Sequence, residues 1–257
     1  MLGAIAGDII GSVYEFDNIR TVDFPLFVEA SQFTDDTVLT VALADSILYG
    51  TDYTDRLKEY YSLYPNASYG GRFNAWAASP SRAPYNSFGN GSAMRVSSIG
   101  FAFDSLEAVL DRAGESAAKT HNHPEGIKGA QATASAIFLA REGKTKEEIR
   151  QAIENLFGYS MDESIGSLRE HYQFNETCQG SVPQAITAFL ESDHFEDAIR
   201  KAVSIGGDSD TIACIAGGIA HAYYKQIPDP IVDQVYRTLD SRLRRIVTLF
   251  CNKYSCH

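Results

Sequence analysis

Two short acidic motifs lie far apart in this sequence, and both contain the residue types that bind hard metal ions. In the later motif, Gly206 and Gly207 precede Asp208 and Asp210, and a helix of small residues follows. Glycine enters the left-handed backbone region without steric cost, so this pair permits a tight turn. Two like charges about 4 Å apart cost roughly 4 kcal/mol at an effective dielectric near 20. We therefore expect a divalent cation to neutralise the two carboxylates.

The earlier motif, Thr34-Asp35-Asp36, opens a second helix. Its simplest interpretation is structural, because Thr and Asp are favoured at helix N-termini by capping and by the helix dipole. Together with the later motif and its Thr211, however, it gives a set of four carboxylates and two hydroxyls. That oxygen-only set fits one or two Mg²⁺ or Mn²⁺ ions with bound water. It fits zinc poorly, since zinc favours Cys and His.

A glycine-rich run, Gly89-Asn90-Gly91-Ser92, precedes another predicted helix. Backbone N–H groups in such a run can point together and form a nest for an anion. A single glycine-rich run is weak evidence, and an ordinary loop is the alternative interpretation.

Two histidines, His121 and His123, lie at a helix boundary just before Pro124. They have the chemistry of metal ligands, but an oxygen-ligand site elsewhere makes that role secondary. We expect His121 to form a hydrogen bond with a phosphate or a ribose. A purely structural boundary role is an equal alternative for His123.

Whether the two acidic motifs can form one site depends on the helices that position them. A first helix, rich in Gly and Ala, covers residues 2–14. A second begins after Thr34 as N-cap, runs to residue 48 and ends at Gly50. It is apolar nearly all round and should therefore be central. If the helix after Asp208 is central too, the N-termini of these two helices can face one another across one site.

The remaining segments also indicate helices, about nine in all, with no convincing strand. Residues 66–92 have the composition of long loops, and residues 159–180 are ambiguous. Further helices are predicted over residues 54–64, 105–119, 124–143 and 145–158, from Ser181 with Pro183, from Asp193 with Glu196, and from Asp229 to about residue 250. No linker, composition break or repeat divides the chain, so we predict an all-α fold, a compact multi-helix orthogonal bundle forming one domain over residues 1–257.

Bulk properties exclude several classes of protein. A formal net charge of −11 argues against general nucleic-acid binding through phosphates. The four cysteines have neither zinc-ribbon nor redox spacing and fit a reducing compartment. The apolar N-terminus lacks a basic flank and contains Asp8, so we do not expect a signal peptide. We predict a cytoplasmic monomer with no membrane partner.

Five segments of the chain, in order, resemble the ADP-ribosylglycohydrolase family, whose type members include the dinitrogenase reductase-activating glycohydrolase. The matching segments are residues 7–8 with 11–15, 33–37, 89–95, 120–124 and 206–211. Any one of them alone is weak, but five in the family's order are specific.

The resemblance implies an all-α fold around a binuclear metal centre, usually with two Mg²⁺ and in some members Mn²⁺. Carried over position by position, the implied metal ligands are Thr34, Asp35, Asp36, Asp208, Asp210 and Thr211. The implied substrate-binding residues, holding the diphosphate and the distal ribose of ADP-ribose, are Gly89, Asn90, Gly91, Ser92 and His121. Glu15 matches a glutamate that, in some members, moves when substrate binds.

The family removes ADP-ribose from proteins or small acceptors by cleaving the bond at the distal-ribose C1″. We expect the catalytic acid or base to be Glu15 or one of the cluster carboxylates Asp35, Asp36 and Asp210. We predict a metal-dependent hydrolase of the ADP-ribosylarginine type that removes mono-ADP-ribose from protein arginine. Segment 11–15 looks closer to members that act on O-linked ADP-ribose, so ADP-ribosyl-serine or O-acetyl-ADP-ribose is the alternative substrate. A non-catalytic ADP-ribose-binding protein is the third possibility.

Overall fold

The computed structural model describes residues 1–256, and within them the chain is all-α, with no β-strand. Short 3₁₀ turns cover Ser12–Tyr14, Asn90–Ser92 and Met94–Val96. The fourteen α-helices of the described residues are α1 Leu2–Gly11, α2 Asp35–Tyr49, α3 Tyr53–Leu63, α4 Gly71–Ala78, α5 Ser97–Ala102, α6 Leu106–Ala118, α7 Pro124–Arg141, α8 Lys146–Phe157, α9 Ile165–His171, α10 Cys178–Leu190, α11 Phe195–Ser204, α12 Ser209–Tyr224, α13 Asp229–Thr238 and α14 Ser241–Tyr254. The predicted all-α class is confirmed.

The centre of the molecule is formed by helices that are buried on every side. All ten residues of α1 are buried, as is α12 from Ser209 to Ala222. In α2, every residue from Asp36 to Ser46 is buried, which confirms the central position predicted from its apolar sequence. Because α2 and α12 begin at the acidic motifs, both motifs lie at the ends of packed helices.

Helices α1 and α12 pack antiparallel at very short range. An ideal Cβ built on Gly7 would lie 2.0 Å from the Ala213 carbonyl oxygen, and one on Gly11 would lie 2.6 Å from the Asp210 Cα. Only glycine fits where one backbone touches another in this way. The contact aligns the C-terminal end of α1 with the N-terminal end of α12, where the later acidic motif lies.

Local end signals explain why several helices begin and end where predicted. Thr34 caps α2 by accepting a hydrogen bond from the Asp36 N–H, and Gly50 ends it in the left-handed conformation, with φ +66°. Thr145 and Glu148 form the predicted capping box of α8. These confirmed ends all depend on groups within four residues of one another.

Three predicted helix bounds are wrong. Helix α10 begins at Cys178, capped by Thr177, and Pro183 lies inside it. The cap of α11 is His194 and not Asp193. The predicted long last helix is two helices, because the Asp240 carboxylate caps a new start at Ser241.

Helices α4, α5 and α9 were not predicted, since each is eight residues or shorter and carries little periodicity. Within residues 1–256, no helix has both the length and the hydropathy that crossing a bilayer requires.

Candidate active site

Asp8 ties the first acidic motif to α1. Its carboxylate accepts hydrogen bonds from the Thr34 backbone N–H at 3.0 Å and from the Thr34 hydroxyl at 2.7 Å. It also accepts from the Thr37 backbone N–H at 3.1 Å and from the Thr37 hydroxyl. Asp8 therefore fixes the start of α2 against the last turn of α1. The sequence analysis did not assign Asp8 to the site, although a charged residue within an otherwise apolar helix was a visible signal.

The second acidic motif is held by a turn that requires both of its glycines. Gly206 and Gly207 have φ values of +74° and +75°, the left-handed region that favours glycine. The side chain of Asn18, which is 189 positions earlier in the chain, holds this turn with two hydrogen bonds. It accepts from the Gly207 N–H at 2.7 Å and donates to the Gly207 carbonyl at 2.9 Å. The turn delivers Asp208 to the N-cap position of α12.

The two acidic motifs converge. The Thr211 hydroxyl lies 3.2 Å from Asp36 Oδ2, a contact that joins α12 to α2 across 175 positions of sequence. Carboxylate oxygens of Asp8, Asp36 and Asp210 all lie within 4.8 Å of one another, as do those of Glu15, Asp208 and Asp210. Among residues 1–256, these are the two groups that could hold a metal ion, and Asp210 is common to both.

Within the described residues, no lysine or arginine forms an ion pair with any of these carboxylates. Burial raises the pKa values of Asp36 and Asp210 well above their usual range, and neighbouring carboxylates raise them further. One oxygen, Asp36 Oδ1, is buried and has no hydrogen-bond partner. An orphaned anionic oxygen is costly in a protein interior. The donor set consists only of oxygens and lacks a countercharge, so it fits a hard divalent cation.

The six predicted metal ligands take different positions around this cluster. Asp36, Asp208 and Asp210 belong to the two groups of converging carboxylates. Thr211 contacts Asp36, whereas the Thr34 hydroxyl donates to Asp8. Asp35 is half-buried and lines the same pocket, but it belongs to neither group.

Glu15 stands at the edge of the cluster, just after the 3₁₀ turn that extends α1. Its side chain is half-buried and lines the pocket. Burial, followed by the charges of Asp208 and Glu176, raises the pKa of Glu15 to about 7. A carboxyl group poised near neutrality suits proton transfer, and its position beside Asp208 also suits coordination.

The glycine-rich run forms a 3₁₀ turn that borders the same pocket. Asn90 donates from its side chain to Asp208 Oδ2 at 2.7 Å and to the Ser181 hydroxyl at 2.9 Å. Gly89 and Gly91 face the pocket. The Ser92 hydroxyl instead donates to the Gly126 carbonyl at 2.7 Å, so this side chain packs against α7 and does not line the pocket.

His121 lies beside this turn. An ideal Cβ on Gly91 would lie 3.3 Å from His121 Nε2. The Thr120 hydroxyl accepts from Arg95 Nη2 at 2.8 Å and lies 2.7 Å from His121 Nδ1. With Arg95 as its donor, the hydroxyl has its own proton to give to Nδ1, and we therefore assign the imidazole proton to Nε2. Burial lowers the pKa of His121, so the ring is a neutral donor directed at the pocket.

Two arginines accompany His121. Arg95 is fully buried, and its Nε and Nη1 have no hydrogen-bond partner within the part of the chain that the structure describes. Arg72 is exposed and lies over the ring of Tyr85, with 5.2 Å from its guanidinium carbon to the ring centroid. Both arginines line the pocket, and neither forms an ion pair with a described carboxylate.

His123 is separate from this pocket. It caps α7, because its Nδ1 accepts from the Glu125 N–H at 3.1 Å. The structural alternative considered for His123 is therefore the one that the structure favours.

Comparisons with known proteins agree with this architecture. A model of the ADP-ribosylglycohydrolase family matches residues 1–255. An ADP-ribosylhydrolase ARH3 of Bos taurus is 30% identical, with 89% of this chain and 85% of that protein covered. An ADP-ribosylarginine hydrolase Tri1 of Pseudomonas putida is 28% identical, with 87% of this chain and 69% of that protein covered. A solved structure described as an ADP-ribosylglycohydrolase-related protein complex shares the fold, with a TM-score of 0.74 at 23% identity, over 98% of this chain and 96% of that one.

Proposed function

This chain belongs to the ADP-ribosylglycohydrolase family, and we propose that it is a metal-dependent hydrolase that cleaves the distal-ribose C1″ bond of an ADP-ribose conjugate. The observation that carries this proposal is the distribution of charge in one pocket. The converging carboxylates, of which Asp208 bonds Asn90, line the same pocket as two arginines without ion pairs and a neutral histidine that lies beside Gly91.

An ADP-ribose conjugate matches that distribution. Its diphosphate needs cations and N–H donors, which Arg72, Arg95 and His121 Nε2 supply. Its distal ribose offers neutral hydroxyls, which suit an oxygen-rich cluster charged by divalent cations. The conjugate would therefore lie across the turn, with the diphosphate beside Gly91 and the distal ribose beside Asn90.

We propose that Asp36, Asp208, Asp210 and Thr211 hold two Mg²⁺ ions, with Mn²⁺ as the alternative metal. Thr34 and Asp35, which adjoin them, complete the proposed set. When bound, such ions polarise hydroxyl oxygens and make bound water more acidic.

The chain itself contributes orientation and proton transfer. Asp8 stays bonded to Thr34 and Thr37, so its role is to hold the start of α2 in position. We propose Glu15 as the general acid or base, because its half-buried carboxyl adjoins the cluster and still reaches solvent. Its Oε atoms would give a proton to the departing acceptor or take one from the attacking water.

For the acceptor, we favour a hydroxyl linkage, as in ADP-ribosyl-serine or O-acetyl-ADP-ribose. The support is the likeness of residues 11–15 to family members that act on such conjugates. Arginine-linked ADP-ribose, which the sequence analysis put first, is the second candidate. It is supported by the relative that is named an ADP-ribosylarginine hydrolase.

We also propose a monomeric, single-domain protein located in the cytoplasm. The four cysteines are free and buried, which suits a reducing compartment.

The deciding experiment is a panel of serine-linked, acetyl-linked and arginine-linked ADP-ribose conjugates, each incubated with Mg²⁺, with Mn²⁺ or with EDTA. We expect release of ADP-ribose that needs the metal and is fastest from a hydroxyl-linked conjugate. If ADP-ribose is released fastest from the arginine-linked conjugate, arginine-linked ADP-ribose becomes the favoured substrate. Tight ADP-ribose binding without release from any conjugate would show a binding protein and would contradict the proposed hydrolysis.

A further inference from the structure

Two large aromatic side chains stand exposed beside the acidic side of the pocket. Phe16 is 84% exposed and Phe174 is 44% exposed. Their rings stack on each other, with centroids 6.3 Å apart and planes 22° apart. Phe16 directly follows Glu15, and Phe174 is two positions before Glu176, and both of these glutamates line the pocket. The aromatic pair therefore forms part of the pocket rim.

This rim is fastened in place by several hydrogen bonds. Asn18 donates to the carbonyls of Tyr14 and Glu15 and clasps Gly207, so the segment bearing Phe16 is tied to the turn that bears Asp208. The Arg20 guanidinium donates to the carbonyls of Ile205 and Tyr172, which ties the segment bearing Phe174 to the same turn. Exposed aromatic rings on a fastened rim differ from side chains on a loose loop, because their contact surface is already ordered before a ligand arrives.

The rim is also negatively charged. Asp17 and Glu176 are exposed, and neither forms an ion pair with another described residue. Arg20 follows Asp17 by three residues, but its guanidinium is hydrogen-bonded to backbone carbonyls. Asp17 and Glu176 belong to neither group of metal-binding carboxylates, so their charges would remain when divalent cations are bound. A surface that joins aromatic rings to free carboxylates complements a cationic peptide.

The proposed substrate orientation says what arrives at this surface. If the diphosphate lies beside Gly91 and the distal ribose beside Asn90, the group attached to C1″ leaves the pocket on the side of Glu15 and Glu176. That group is the acceptor, and Phe16 and Phe174 lie within two residues of these two glutamates in the chain.

Resting on the proposed function, we propose that Phe16 and Phe174 dock the acceptor polypeptide and that Asp17 and Glu176 select acceptors with a lysine or arginine next to the modified residue. The aliphatic stem of such a residue packs on the aromatic rings, while its charged end reaches the carboxylates. The pair is a specificity surface and takes no part in bond cleavage.

The test compares a peptide with a small conjugate of the same linkage, using whichever linkage the wild-type protein cleaves. Two peptides, identical except for a Lys or a Glu beside the modified residue, are measured together with a conjugate that has no peptide. The variants are Phe16→Ala with Phe174→Ala, Asp17→Asn, and Leu156→Ala. Leu156 is the matched control, because it is 51% exposed on α8 and does not line the pocket.

We expect the double phenylalanine variant to raise KM for the Lys peptide about tenfold, the effect of losing an aromatic anchor. Its KM for the small conjugate and its kcat for both should change by less than about twofold. Asp17→Asn should reduce the preference for the Lys peptide over the Glu peptide, and Leu156→Ala should change neither.

Equal losses on the peptide and the small conjugate, or an unchanged KM for the peptide, would overturn this inference and leave the proposed function intact. A wild-type protein that cleaves no conjugate at all would overturn the proposed function, and this inference with it.

Discussion

Asp36 has a buried carboxylate oxygen without a hydrogen bond and, unlike Asp45 and Glu125, forms no ion pair with a described residue, so it depends on something other than protein. Asp36 Oδ1 lacks a hydrogen bond, and neighbouring carboxylates add repulsion to the cost of burial. In a metal-free protein this arrangement is unfavourable, and a divalent cation makes it favourable. The same residue therefore links folding stability, metal binding and catalysis.

We predict that Asp36→Asn lowers the rate of ADP-ribose release at least about 100-fold, since the bound metal contributes several kcal/mol to such reactions. In EDTA, its Tm should equal or exceed that of the wild type, because a like charge has been removed. Thermal unfolding with and without Mg²⁺ should show that the variant has lost the stabilisation given by the metal.

Asp45→Asn is the control for that prediction, as Asp45 is buried in the same helix but bonds the Tyr60 hydroxyl and lies beside Arg56. It should lose stability and keep its response to Mg²⁺. A full Mg²⁺ response in Asp36→Asn would remove Asp36 from the set of metal ligands.

We predict that Glu15→Gln slows turnover of a small conjugate about 10²- to 10⁴-fold, the usual contribution of a general acid or base. The amide keeps the shape of the side chain, so affinity for ADP-ribose should stay within about threefold of the wild type. Steady-state kinetics and calorimetry separate the two effects. Asp23→Asn, an exposed acid in the same segment, should change neither, and a wild-type kcat in Glu15→Gln would show that Glu15 is a bystander.

At the scale of helices, the site depends on how closely α1 and α12 approach each other. Gly3, Gly7 and Gly11 recur every four residues on α1, and a Cβ on any of them would lie within 2.6 Å of the α12 backbone. This contact places Asp8 and Glu15, near the end of α1, beside Asp208 and Asp210 at the start of α12. The close packing of these small residues therefore determines the relative positions of the carboxylates in the acidic cluster.

We predict that Gly7→Ala destabilises the fold by about 3 kcal/mol, at the upper end of overpacking effects, because the added methyl would meet backbone and cannot be accommodated by a rotamer change. It should also weaken the Mg²⁺-dependent rise in Tm, since the two helices must separate. Urea unfolding measures the first effect and thermal unfolding the second.

Gly166→Ala supplies the control, because the neighbour nearest to its added methyl would be the Ser164 hydroxyl at 3.7 Å. Its free energy of unfolding should change by no more than about 1 kcal/mol, in the direction of helix propensity. Wild-type stability in Gly7→Ala would contradict the packing argument.

Local signals predicted part of this fold and missed the rest for physical reasons. The start of α2 at Thr34 and the capping box of α8 depend on groups within three residues, so the sequence shows them directly. The bonds from Asp8 to Thr34 and Thr37 span 26 and 29 positions, and only packing brings their partners together. The resemblance implies that Asn90 binds substrate, but the bond from its side chain to Asp208, 118 positions away, was not predicted. Such contacts cannot be predicted from one motif at a time.

The complete fold brings two distant parts of the chain, residues 8–36 and 208–211, to one place. Asp8 and Asp36 come from the first helices and Asp210 from the twelfth, so the cluster forms only when the chain has folded completely. Cation binding at this cluster should therefore stabilise the entire fold by mass action.

We predict that the metal-free protein is more stable at pH 5 than at pH 8. The folded-state pKa values of Asp36 and Asp210 are raised above their unfolded values, so the folded protein keeps protons that the unfolded chain releases above about pH 4. That stabilisation is present at low pH and is lost as the pH rises through the folded-state values. Thermal unfolding in EDTA at the two pH values measures it, and saturating Mg²⁺ should reduce the difference. A metal-free Tm that is higher at pH 8 would contradict the prediction.

The most direct measurement is anomalous diffraction from crystals of the protein grown with Mn²⁺. We predict strong anomalous density among the carboxylates of Asp36, Asp208 and Asp210, and its loss in crystals of Asp36→Asn. Crystals with saturating Mn²⁺ and no anomalous density among these three carboxylates would contradict the account, because the acidic cluster would then be something other than a metal centre.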